Sequence, residues 1–144
     1  MFDLEELAHS HGHNVTYRKL PAHYPNAYHS TKHKLIVVRA GLPRRQSRSL
    51  LAHEIGHLHY GHKRRTRKAE KQANRYAARL LIDPTKYREA EAAYGTNVNK
   101  LAYELDVTPV IVRAYRETAI HLKDEHKNET MNSSTPSSHS VRKP

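Results

Sequence analysis

A chain of 144 residues and 16.6 kDa has room for one compact domain with a tail and excludes two independent cores. Cysteine is absent, which excludes disulfides and thiolate metal sites and leaves His, Glu and Asp as the ligands for any metal. The 25 Lys and Arg against 14 Asp and Glu give a net charge of +11, which favours acidic or polyanionic partners, and no apolar run approaches the ~18 residues of a membrane helix.

Met1 to Leu7 hold three acids and no apolar run. No secretory signal is expected there, and a cytoplasmic location is. Phe2, Leu4 and Leu7 mark a short amphipathic helix that Gly12 can end. Val15, Tyr17 and Leu20 alternate as a strand does until Pro21 stops it. A turn-rich stretch with Pro25, Asn26 and Ser30 leads to Leu35, Ile36, Val37 and Val38, a β-branched run of strand length. These segments predict a small, mostly antiparallel sheet, closed by Gly41 and Pro43.

Ser47 is placed to cap the next helix, whose Leu51, Ile55 and Leu58 form an i, i+4, i+7 stripe. Gly56 inside that helix costs about 1 kcal/mol relative to Ala, which points to a close neighbour. A basic connector, Lys63 to Lys68, leads to a second strong helix from Thr66 to Ile82. Its Ala69, Ala73, Tyr76, Ala77, Leu80 and Leu81 share one stripe, opposite Arg67, Lys71, Arg75 and Arg79. Asp83 and Pro84 end it and begin a helix to Tyr94, stopped by Gly95. Val98, Leu101, Ala102 and Leu105 form another, and Thr108-Pro109 starts a last one to Leu122. Residues 98–122 thus read as a helix-turn-helix-like hairpin. From 124 to 144 the chain is polar and aperiodic and is expected to be a disordered tail, leaving a single domain over 1–123.

His53-Glu54-Ile55-Gly56-His57 is the most informative stretch. Two histidines four apart project from one face of a helix and can grip one zinc ion, with Glu54 beside them as a non-ligand base: the HExxH arrangement. A catalytic zinc needs a third protein ligand. The metzincin extension, a glycine three residues after the second histidine and a histidine three beyond, fails here because those positions are Tyr60 and Lys63. Glu70 is the better candidate. It lies on the edge of the second helix's apolar stripe, where a lone carboxylate is costly unless a cation satisfies it.

The HEIGH segment followed by His59, then Glu70, Ala73-Asn74, Tyr76-Ala77, Leu80-Leu81 and Pro84, resembles the ImmA/IrrE family of zinc metallopeptidases. The resemblance covers about residues 30 to 120 and is specific over 51 to 84. Tyr76 stands where the family has Phe, and Leu-Leu-Ile-Asp-Pro replaces its usual ending, differences of packing more than of chemistry. The resemblance implies an α+β zincin-like fold, Zn2+ held by His53, His57 and Glu70, and Glu54 as general base of peptide hydrolysis. It also implies a protein substrate: a helix-turn-helix transcriptional repressor controlling a phage, mobile element or stress response. By fold analogy the edge of the Leu35–Val38 strand is expected to hold that substrate by strand addition. Tyr28, His29, Tyr60 and His62 are candidate oxyanion donors.

Other features have plainer readings. His59 and His62 read as rim or packing residues, and His9, His11 and His13 as adventitious metal affinity. Asn74 either supports a ligand or packs between helices. Arg113 and Arg116, on the second helix of the hairpin, suggest DNA recognition in isolation, but a hairpin that covers the domain gives the same pattern. A monomer with at most weak, non-specific DNA contact is expected. The competing class is a DNA- or protein-binding regulator with a structural zinc, and the non-ligand Glu54 argues against it.

Overall fold

A computed structural model describes residues 3–118 of the chain. The expected tail, and the end of the last helix, lie outside the described residues.

The fold is α+β. Helix α1 (Leu4–Ser10) is capped by Asp3, whose side chain accepts from the Glu5 and Glu6 amides. Strands β1 (Asn14–Arg18), β2 (Ala27–Ser30) and β3 (Leu35–Arg39) follow, then α2 (Arg44–Tyr60), α3 (Arg67–Leu81), α4 (Pro84–Tyr94) and α5 (Val98–Leu105). A sixth helix, α6, occupies 109–118 of the described residues.

The sheet is mixed rather than mostly antiparallel: its order is β1-β3-β2, with β3 parallel to β1 and antiparallel to β2. The segment after β1 carries the chain past the place of β3 to the far edge, where residues 27–30 form a strand that their turn-like composition conceals. A tight turn, with Lys34 at a left-handed φ of 53°, then returns β3 into the middle. Ile36, Val37 and Val38 are all buried, as suits a central strand. Leu35–Val38 is therefore no edge. The free edge beside α2 belongs to β2.

Helix α2 is shared by two apolar clusters. Leu51 and Ile55 pack with Ala8, Ala27, Ile36 and Val38 over the sheet, while Ala52 joins Ala77, Ile82, Leu101, Val107 and Val112 among the later helices. Its N-cap is Pro43, not Ser47, and no side chain caps it. Proline's fixed φ suits a helix start, and Ser47 falls within the first turns. Thr66 caps α3 by accepting from the Ala69 amide at 3.0 Å, and Asp83 with Pro84 starts α4. Gly56 sits where α2 meets α3: a Cβ there would lie 3.0 Å from the Ala73 Cα and carbonyl oxygen. No helix among the described residues is long and apolar enough to cross a membrane.

Candidate metal centre

Burial of both flanks of α2 leaves His53, Glu54 and His57 facing α3 and the end of β2, with Glu54 and His57 each 1% exposed. The close approach at Gly56 and Ala73 brings Glu70, near the start of α3, against the two histidines. His53 Nε2 lies 2.9 Å from Glu70 Oε1, His57 Nε2 lies 3.2 Å from Glu70 Oε2, and the two Nε2 atoms are 3.1 Å apart. Among the described residues these three form the one group of His, Asp or Glu able to hold a metal. Tetrahedral zinc with bonds of about 2.0–2.1 Å separates its ligand atoms by about 3.3 Å, close to all three spacings.

The protons of the site are also distributed as a bound cation requires. A neutral imidazole has one N–H and one lone pair. With the Asn74 carbonyl turned to the ring, His53 Nδ1 donates to Oδ1 at 2.7 Å and Nε2 keeps its lone pair. With the Gln72 carbonyl likewise assigned, His62 Nε2 donates to Oε1 at 2.7 Å, so His62 Nδ1 is an acceptor and takes the His57 Nδ1 proton at 3.0 Å. His57 Nε2 therefore carries only a lone pair as well. Two lone pairs at 3.1 Å beside a carboxylate repel unless a cation lies among them. Burial, followed by the nearby Arg65 charge, lowers the His57 pKa to about 4, so the ring is neutral and able to ligate at pH 7.

The turn after α2 makes this arrangement. Gly61, left-handed at φ 66°, donates to Leu58, and the His62 amide donates to the His57 carbonyl at 3.0 Å. This cap folds His62 back over His57 and sends Arg65 across the site. Arg65 grips Glu54 through Nη1 at 3.3 Å and Nη2 at 3.0 Å, and donates from Nε to Glu70 Oε2 at 3.0 Å. From β2, His29 Nδ1 donates to Glu54 Oε1 at 2.9 Å. Burial pushes the Glu54 carboxyl up, but the hydrogen bonds of His29 and Arg65 and the nearby positive charge outweigh it and hold the pKa at about 2. Glu70 is likewise lowered: burial opposes this and is overcome by the Arg65 guanidinium beside it.

Beside the cluster is a cavity of about 270 Å³ lined by Tyr28, His29, His57, His62, Lys63, Arg64 and Arg65. The residues expected at the metal, His53, His57 and Glu70, thus come together with Glu54 next to them. Of the oxyanion candidates, Tyr28, His29 and His62 line the cavity. His29 and His62 are committed as described, and Tyr28 makes no side-chain hydrogen bond among the described residues. Tyr60 stacks on His62 and accepts from Arg79 outside the cavity. Asn74, on α3, accepts a hydrogen bond from His53. His62, read as a rim residue, orients a histidine of the cluster.

Three participants escaped sequence reasoning: Arg65, hidden in a basic connector; Gln72; and His29 as the partner of Glu54. The odd polar position of Gln72, two residues after Glu70, was the available signal. His59 packs between Tyr76 and His11, and His11 and His13 bond to nearby backbone carbonyls. Arg116 is tied to the Tyr87 hydroxyl at 2.9 Å and the Thr96 carbonyl at 2.6 Å, which leaves Arg113 as the exposed cation of the two.

The model of the family Peptidase_M78, described as IrrE N-terminal-like domain, matches residues 8–115, a span that contains every side chain of the site. No curated protein matches the chain.

Proposed function

The chain belongs to the Peptidase_M78 family of metallopeptidases, and from that premise we propose that it is a zinc endopeptidase in which His53, His57 and Glu70 hold the metal and Glu54 is the general base. The observation that carries this reading is the convergence of two imidazole lone pairs and a carboxylate at tetrahedral spacing with no proton left to separate them. Bound zinc supplies Lewis acidity to the attacking water and the scissile carbonyl. Glu54 takes the proton of that water and returns it to the leaving amine. His29 and Arg65 hold its carboxylate ionised. An extended substrate adds to the free edge of β2, with its scissile bond over the cluster. Tyr28 is the remaining oxyanion donor on that wall.

From the resemblance of residues 51 to 84, the substrate is a helix-turn-helix repressor of a phage, mobile element or stress response, met in the cytoplasm by a monomer whose one domain is residues 1–123. With Arg116 engaged inside the fold, the 98–122 hairpin serves as cover, and DNA contact is weak and non-specific. The regulator reading has no use for a buried carboxylate held beside the metal by two partners.

Metal analysis and cleavage assays test this. One zinc per chain is expected, with sharp loss in His53→Ala, His57→Ala and Glu70→Ala. Glu54→Gln is expected to keep zinc and lose at least about 100-fold in cleavage of a repressor encoded beside the gene. Full zinc retention in Glu70→Ala, or wild-type turnover by Glu54→Gln, overturns the assignment.

A further inference from the structure

We propose that the cavity beside the cluster is a subsite for an acidic side chain of the peptide substrate, with Lys63 and Arg64 as the groups that select it. This rests on the peptidase reading for the occupant being a peptide. No carboxylate lines that cavity. Glu54 and Glu70, behind it, are engaged by Arg65 and His29, and a divalent cation added to Arg65 outweighs both of them. Lys63 and Arg64 are exposed and make no ion pair or side-chain hydrogen bond among the described residues.

The placement of these two cations follows from the backbone. The left-handed Gly61 and the His62 amide cap turn the chain at the end of α2, so residues 63–65 stand across the cavity from Tyr28 and His29. One wall is thus the β2 edge strand and the other is cationic. A peptide paired with β2 runs between them, and side chains on one face of it, two residues apart, approach Lys63 and Arg64 in turn. Asp or Glu there finds opposite charge. Lys or Arg meets like charge from both residues, from Arg65 and from the metal. Discrimination against basic substrates is thus as strong an effect as attraction of acidic ones.

Fluorescein-labelled peptides of one sequence, carrying Asp-Ala-Glu, Asn-Ala-Gln or Lys-Ala-Lys at the centre, test the subsite by anisotropy. The zinc-loaded Glu54→Gln protein is used so that turnover does not intrude. The acidic peptide should bind about tenfold more tightly than the amide peptide at low salt, and the advantage should shrink as salt rises. In the same background, Lys63→Glu with Arg64→Glu should reverse the order in favour of the lysine peptide. Both residues are exposed on a turn, so the fold should be unaffected, and zinc content checks this.

Equal affinities, or an acidic preference that survives the charge reversal, would overturn the proposal. Tighter binding of a single-stranded oligonucleotide, abolished by the same reversal, would overturn it in favour of a polyanion site. Acidic preference that reverses as expected, in a protein whose wild type cleaves no peptide, would support the subsite and sink the peptidase reading. The two ideas therefore fail separately.

Discussion

His62→Leu removes the acceptor of the His57 Nδ1 proton while leaving His53, His57 and Glu70 in place. His57 is 1% exposed with His62 in place, and leucine covers its Nδ1 with apolar surface instead of an acceptor. A buried donor without an acceptor costs about 1–3 kcal/mol. The ring can avoid that cost by moving its proton to Nε2, where Glu70 Oε2, 3.2 Å away, accepts it. Zinc must then displace that proton, so the cost appears as lost metal affinity. At about 1.4 kcal/mol per decade the loss is roughly 5- to 150-fold, in line with the 10–100-fold typical of groups that orient a ligand from behind.

His62→Asn is the matched control. Its Oδ1 accepts close to the position of the ring Nδ1, and affinity should stay within about threefold of wild type. Zinc affinity is measured by competition with a chromophoric chelator, and cobalt substitution reports whether the ligand set survives. Wild-type affinity in His62→Leu, or equal losses in the Leu and Asn variants, would refute the proton accounting and with it the assignment of both tautomers.

Gly56→Ala should lower the thermal midpoint despite the better helix propensity of alanine. The new Cβ meets Ala73 backbone atoms at 3.0 Å and Tyr76 Cβ at 3.2 Å, and overpacking of about 1–3 kcal/mol exceeds a gain of about 1 kcal/mol. Thermal unfolding checks the sign, and a raised midpoint would show that α2 and α3 have room to separate. In acid, metal-free wild type should lose an advantage over Glu54→Gln. The Glu54 pKa falls from 4.5 unfolded to about 2 folded, so its contribution, on the order of 3 kcal/mol, is present above pH 4.5 and is lost as pH falls through 2. Unfolding midpoints of the two proteins across that window should converge, and a constant gap would mean that Glu54 is not held as an anion.

Much of the centre was legible in the amino-acid sequence because it depends on local geometry. The 3.6-residue period alone puts His53 and His57 on one face, with Glu54 a step away. The apolar stripe of α3 makes Glu70 conspicuous as a carboxylate with something to satisfy. Thr66, Asp83-Pro84 and Gly95 mark helix ends through backbone groups that lie within a turn of each cap, so those boundaries also came from the chain itself.

What only the tertiary structure decided involves partners brought together by the path of the chain. Arg65 reads as one cation in a run until a left-handed Gly61 turns it back across Glu54 and Glu70. His62 is one residue out of register for the third histidine of a metzincin, yet the same turn stacks it behind His57, and α3 supplies Gln72 to set its proton. β2 has too little apolar patterning to declare itself, since its pairing with β3 gives it most of its order, and that pairing decides which edge is free. A side chain's helical neighbours follow from spacing. The charge and proton state of Glu54 and His57 follow from residues up to 25 positions away, which no local periodicity specifies.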